Sequence, residues 1–184
     1  MKINPLFLQL KSILIGIQFF QVQCGFSQEE KNSELYKTIM SKDSLLFDVG
    51  FNTCDIFQFE NLFTDDFEFY HDQDSISDKE LFLLNLKKGI CLPGKNYKVR
   101  RDLKANSTEI YPLTKNGELY GALQIGVHQF FEISPGQEDK PGSIAKFTHV
   151  WLLKDGVWKL ARSFSYDHQL PDTDKQHSKE VNKN

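Results

Sequence analysis

No apolar run in the sequence is long enough to span a bilayer. The longest stretch, Ser12 to Val22, falls well short of the roughly 20 residues a membrane helix needs, and Gln18 and Gln21 interrupt it. Stable membrane insertion is therefore not expected. Positive charge is also scarce: 22 Lys and Arg stand against 25 Asp and Glu, with no basic stripe to neutralise phosphates, so nucleic acid is not an expected partner. The three cysteines have no histidine near them in sequence, which argues against a nucleophilic thiol and against a cysteine-based zinc site. The histidines lack short ligand spacing, so the expectation is no metal and no cofactor. There is no internal repeat.

What is present fits one globular domain. The 184 residues are 40% hydrophobic and 26% charged, enough for a proper core, and the sixteen phenylalanines point to flat apolar rings packed between curved sheets and helices. Lys2 and Lys11 precede the short apolar run, and Gly25-Phe26-Ser27 follows it with small residues at cleavage-site spacing. Residues 1–27 thus read as a signal peptide cut after Ser27, and the protein as exported, periplasmic or secreted. A lipoprotein is disfavoured, because Val22-Gln23 places a large polar residue before Cys24. Export leaves Cys54 and Cys91 as an even pair in an oxidising compartment. They form a disulfide or remain two separate buried thiols. Loss of Lys2 and Lys11 makes the mature surface more acidic than the formal net charge of −3.

Helical spacing from Ser33 through Leu35, Ile39, Leu45, Leu46 and Val49 predicts one long helix ending near Gly50, followed by a shorter one carrying Ile56, Phe59, Leu62 and Phe63. Phe67 to Asp72 alternates as a strand. Ser77 to Glu80 resembles a capping box that starts a third helix, ended by Pro93-Gly94. Strand patterns then cover Tyr97 to Pro112 with an irregular middle at Ala105-Asn106-Ser107, Glu118 to Ile133, Ile144 to Lys154 and Val157 to His168. Asn116-Gly117 and Asp155-Gly156 are hairpin turn pairs. Residues 170–184 are polar and read as a disordered tail. Helices first and an antiparallel meander afterwards define an α+β class, with the sheet curled around three helices into a cone whose open end is a natural pocket.

That element order, with Asn52-Thr-Cys-Asp55, Phe69-Tyr-His-Asp72, Gly126-Val-His128, Phe147-Thr-His-Val-Trp151, Asp155-Gly-Val-Trp158 and Ser165-Tyr-Asp-His168, resembles the nuclear transport factor 2-like superfamily over residues 33–169. Within it, the chain is similar to exported bacterial proteins of a SnoaL-like branch, a domain of unknown function. The resemblance implies a cystatin-like cone that takes a small molecule and frequently dimerises through its outer sheet face. Its members include isomerases, cyclases, dehydratases and plain binding proteins, so fold cannot name the activity. The pocket acids and bases of the isomerase and cyclase branches have no matching motif in this chain.

Strand parity nominates the polar set. His71 shares a face with Phe67 and Phe69, His149 with Phe147 and Trp151, and Arg162, Tyr166 and His168 with Trp158, Leu160 and Phe164. His71, His149 and Tyr166 are the acid, base or hydrogen-bonding candidates, while Arg162, Trp151 and His168 are the ligand-binding ones. Asp72 adjoins His71 but points to the opposite face of a regular strand. Arg162 binds an anionic group or pairs with a helix carboxylate such as Asp43, Asp48 or Glu60. His128 is a reserve that a bulge would bring inward. Two readings follow: an exported small-molecule-binding cone, isomerase-like or cyclase-like, or a non-catalytic dimeric interaction or scaffold protein with a structural polar network.

Overall fold

The computed structural model describes residues 27–171; the expected signal peptide and tail lie, except for Ser27, Leu170 and Pro171, outside the described residues. Helix α1, Glu34–Ser44, is capped by the Ser33 side chain, which accepts from the Tyr36 N–H. It runs directly into a π-helix, Leu45–Phe51, where the sequence predicts uninterrupted α-helix. The wider turn buries Leu46 and Phe51 and leaves the Asn52 N–H donating to the Phe47 carbonyl. Gly50 lets the Phe59 ring pack closely here, since a Cβ would meet that ring at 3.1 Å. Helix α2, Ile56–Leu62, starts on the Asp55 cap.

Strand β1, Phe63–His71, begins four residues before the predicted start, directly from α2. After the short β2, Ile76–Asp78, the cap of α3 (Lys79–Lys88) is Asp78, one residue beyond the predicted Ser77. Then follow β3 (Lys98–Leu103), β4 (Glu109–Lys115), β5 (Glu118–Ile133), β6 (Lys140–Lys154) and β7 (Val157–Gln169). Both predicted hairpin turns are present: Asn116 and Gly117 have φ of 54° and 83°, and Asp155 and Gly156 of 50° and 77°, the left-handed values the primed turn demands.

The strands make one sheet in the order β2-β1-β7-β6-β5-β3, with β4 on the remaining length of the β5 edge. The sheet is mixed, not wholly antiparallel, because β1 pairs parallel to β7. The chain leaves β1, passes through α3 and the meander, and returns with β7 alongside, the long crossover that parallel pairing requires.

Phenylalanines tie the helices to this sheet. Phe63 and Phe67 stack at 3.7 Å between centroids, and Phe82 of α3 meets Phe59, Phe63, Phe67 and Phe69 at 5.2 to 5.8 Å. Full burial of each such ring stabilises by roughly 1.5–3 kcal/mol. A disulfide joins Cys54, just before α2, to Cys91, just after α3, so both helical segments are held at one rim.

Candidate functional site

Helices and concave sheet face enclose a cavity of about 490 Å³. Its wall is largely aromatic: Phe47 and Phe51 from the π-helix, Phe63, Phe67 and Phe69 from β1, and Phe82 from α3. Into that wall the sheet inserts His71, His128, His149, His168, Ser163 and Ser165. These fall into two groups, one fully buried and one at the open side.

The buried group is organised by a charge pair. Arg101 of β3 and Asp43 of α1 meet through two contacts of 2.8 and 3.2 Å, with side chains only 1% and 4% exposed. The guanidinium lies 3.8 Å from the Phe47 ring centroid and 5.2 Å from that of Phe147, and its Nε donates to His128 Nδ1 at 3.4 Å. Asp43 also accepts from Gln124 Nε2, whose Oε1 faces both Trp151 Nε1 at 2.9 Å and His149 Nδ1 at 3.2 Å. Asn52 clamps the β3 edge, bonding both the N–H and the carbonyl of Arg101. Burial pushes His128 down to about 3, aided by the Arg101 charge, and holds His149 well below the ordinary imidazole value. Both rings are neutral near pH 7. Between them lies Phe147, with centroids 5.1 and 4.6 Å away, a position open only because residue 126 is glycine: a Cβ there would sit 2.7 Å from the Phe147 ring.

The open-side group lies where β1 and β7 run parallel. Asp72, just past β1, accepts from His168 Nδ1 at 2.5 Å and from the His168 N–H at 3.3 Å. His168 Nε2 faces Ser165 Oγ at 3.3 Å, and the His71 ring packs on the His168 ring at 4.4 Å. Burial would raise the Asp72 carboxyl, but the His168 hydrogen bonds outweigh it and hold the group below the usual carboxylate range. Asp72 is therefore ionised near neutral pH, and His168 donates to it from Nδ1, leaving Nε2 as the acceptor that faces Ser165. His71 is lowered by burial first and by the neighbouring His168 second. The ligand atoms of His71, Asp72 and His168 lie within 4.8 Å of one another, close enough to share one cation.

Of the six nominated residues, His71, His149 and His168 line the cavity. Trp151 is wholly buried behind it, bonded to Gln124. Arg162 and Tyr166 do not reach it. Simple alternation along β7 fails because Val150 pairs with Arg162 but Trp151 with Leu160, so Ala161 is an extra residue that reverses the parity. Trp158 and Leu160 face in before this bulge, and Ser163 and Ser165 after it. Arg162 consequently sits on the outer face, where it pairs with Glu68 at 2.9 Å and with Asp66 at 3.4 Å instead of a helix carboxylate or an anion in the cone. Tyr166 is 36% exposed there, near Thr148. A second irregularity at Asp167, with φ of 57°, restores parity and turns His168 inward.

The sequence reading missed Arg101, Gln124 and the pairing of Asp72 with His168. Arg101 stands beside Arg100 in a strand that reads as polar, and nothing local separates the buried guanidinium from the surface one that pairs with Asp102 and Asp139.

Among solved structures the chain is similar to ActVI-ORFA from Streptomyces coelicolor, with a TM-score of 0.63 at 13% identity over 74% of this chain and 98% of that one. A nuclear transport factor 2-like protein of unknown function in nutrient uptake from Rhodospirillum rubrum aligns with a TM-score of 0.52 at 22% identity, covering 69% and 95%. The chain has the nuclear transport factor 2-like fold. A further nuclear transport factor 2-like protein, from Cytophaga hutchinsonii, matches with a TM-score of 0.54 at 16% identity over 72% and 98%. No family model and no curated protein matches the chain. At these identities the likeness to nuclear transport factor 2-like structures carries fold and not chemistry.

Proposed function

We propose that this protein is an exported small-molecule-binding cone that takes a neutral, ring-bearing ligand and moves a proton on it. The observation that carries the reading is the cavity itself, about 490 Å³ with an aromatic wall and with imidazoles at both its buried and its open side. The disulfide supports export, since such bonds persist in oxidising compartments. Among the described residues no helix is long and apolar enough to cross a membrane.

His168 is the base in this reading. Its Nδ1 is tied to Asp72, so its Nε2 lone pair is free to take a proton from a carbon next to a ligand carbonyl once Ser165 yields its place. The C–H electron pair moves into the carbonyl as an enolate, and the imidazolium, stabilised by Asp72, returns the proton to the same or another carbon. Asp72 bonds His168 directly, whereas it stands 3.9 Å from His71 Nδ1, which accepts instead from the Gln73 N–H.

Deuterium exchange into the methyl group of acetophenone in D₂O, followed by proton NMR, tests this. The wild-type protein should accelerate exchange, and Asp72→Asn should lower the acceleration by about a hundredfold. Equal rates for both proteins would remove the proton-transfer half of the reading.

The interaction-protein alternative has its own support. The Asp43–Arg101–Gln124–His149–Trp151 chain is a structural network that holds α1 to the sheet, and the outer face presents Ile76, Phe164 and Tyr166 around a groove suited to a second copy of the chain. A homodimer through this groove would cover His71, Asp74, Phe164 and Ser165, which also line the cavity, and sedimentation of Tyr166→Glu against wild type tests it.

A further inference from the structure

The buried imidazoles have fixed tautomers, and these specify the ligand. Arg101 Nε carries a proton and can only donate, so His128 Nδ1 must accept. The neutral His128 ring then has its proton on Nε2. That atom has no hydrogen-bond partner among the described residues, although the residue is only 3% exposed and lines the cavity. A buried donor left unmade costs more than an ordinary hydrogen bond gains, so this is the point where a ligand atom contributes most.

His149 is fixed from the other direction. Trp151 Nε1–H is a donor only, so the Gln124 atom it meets is the oxygen, and the Gln124 nitrogen faces the Asp43 carboxylate, which is an acceptor. The amide orientation is forced at both ends. His149 Nδ1, facing that oxygen, must therefore donate, and its Nε2, directed away from Gln124, is an acceptor. The two rings flank Phe147 and both approach Phe47, so the pair presents one donor and one acceptor on either side of an aromatic surface.

We infer that His128 Nε2–H anchors a carbonyl oxygen of a neutral aromatic ketone or aldehyde, and that His149 Nε2 receives a hydroxyl or N–H placed across the ring. This deepens the proposed function and rests on the cone binding a neutral ring-bearing molecule. A carboxylate is disfavoured, because the Arg101 charge that would attract it is already taken up by Asp43.

The test is a cycle of acetophenone and ethylbenzene against wild type and His128→Phe, read by isothermal titration. Wild type should prefer the ketone by about tenfold, the variant should lose that preference, and ethylbenzene should bind both alike. If neither compound binds wild type, the cavity reading fails. If both bind wild type equally, or the ketone preference survives in the variant, the cavity reading stands and the anchoring role of His128 is overturned. Should His128→Phe not fold, long-range proton–nitrogen NMR of the wild type decides: His128 protonated on Nε2 and His149 on Nδ1 is the predicted pattern, and the opposite tautomer of His128 overturns the inference.

Discussion

Arg101 and Asp43 form a two-contact ion pair, 2.8 and 3.2 Å, that joins an edge strand to the first helix with almost no exposure to water. Such a pair contributes little net stability in itself, yet loss of one partner leaves a buried charge uncompensated. Asp43→Leu should destabilise the fold by about 3–5 kcal/mol in urea denaturation, while Asp43→Leu combined with Arg101→Met should recover most of the loss. A double variant no more stable than the single one would contradict this account of the pair.

Gly126 and Phe147 make a second prediction. Gly126→Ala places a Cβ 2.7 Å from the Phe147 ring, so the ring must shift off the two histidines it separates. The expected cost is about 1–3 kcal/mol. The His128 and His149 ring resonances should move together in NMR spectra, a response that a purely local loss of strand stability would not give.

Much of this was legible in the sequence and some was not, for identifiable reasons. The two hairpin turns and the order of helices and strands depend on local chemistry and stand as short patterns, whereas the Cys54–Cys91 bond, 37 residues apart, stayed one of two alternatives. The face of a residue on β7 depends on counting, and the bulge at Ala161 undoes the count for Arg162 and Tyr166 while the kink at Asp167 restores it for His168. A bulge leaves no clear mark in a strand reading Leu160-Ala161-Arg162. Pairing across the fold is invisible for the same reason: Asp72 meets His168 only because β1 returns beside β7 in parallel.

The disulfide closes a span of 37 residues. Replacing both Cys54 and Cys91 by alanine should cost up to about 4 kcal/mol on the chain-entropy model and lower the melting temperature correspondingly. Because the bond pins the ends of the helical segments beside Phe51 and Ile90 of the cavity wall, ligand affinity should fall as well. Unchanged melting in the presence and absence of reductant would argue against this contribution.

Acid should unfold the protein through its buried histidines. His128 has a folded value of about 3, so between about 6.5 and 3 the unfolded chain binds a proton that the folded chain refuses, and His149, held well below the ordinary value, acts in the same direction. Stability is thus fully present above about pH 6.5 and is lost as pH falls, by on the order of 1 kcal/mol per pH unit for His128. His71 and Asp72, both lowered, act in the same direction. Denaturation midpoints measured from pH 7 to pH 4 should show a shallower slope in His128→Phe than in wild type.

The central claim is that the cone is a binding cavity, and a plug tests it most directly. Ser163 faces the cavity from β7, 7% exposed, and Ser163→Phe adds a ring where the ligand is placed. Titration calorimetry with acetophenone should give saturable one-to-one binding to wild type and none to the plugged variant at equal folding. Equal binding by both proteins, or none by the wild type, would contradict the account.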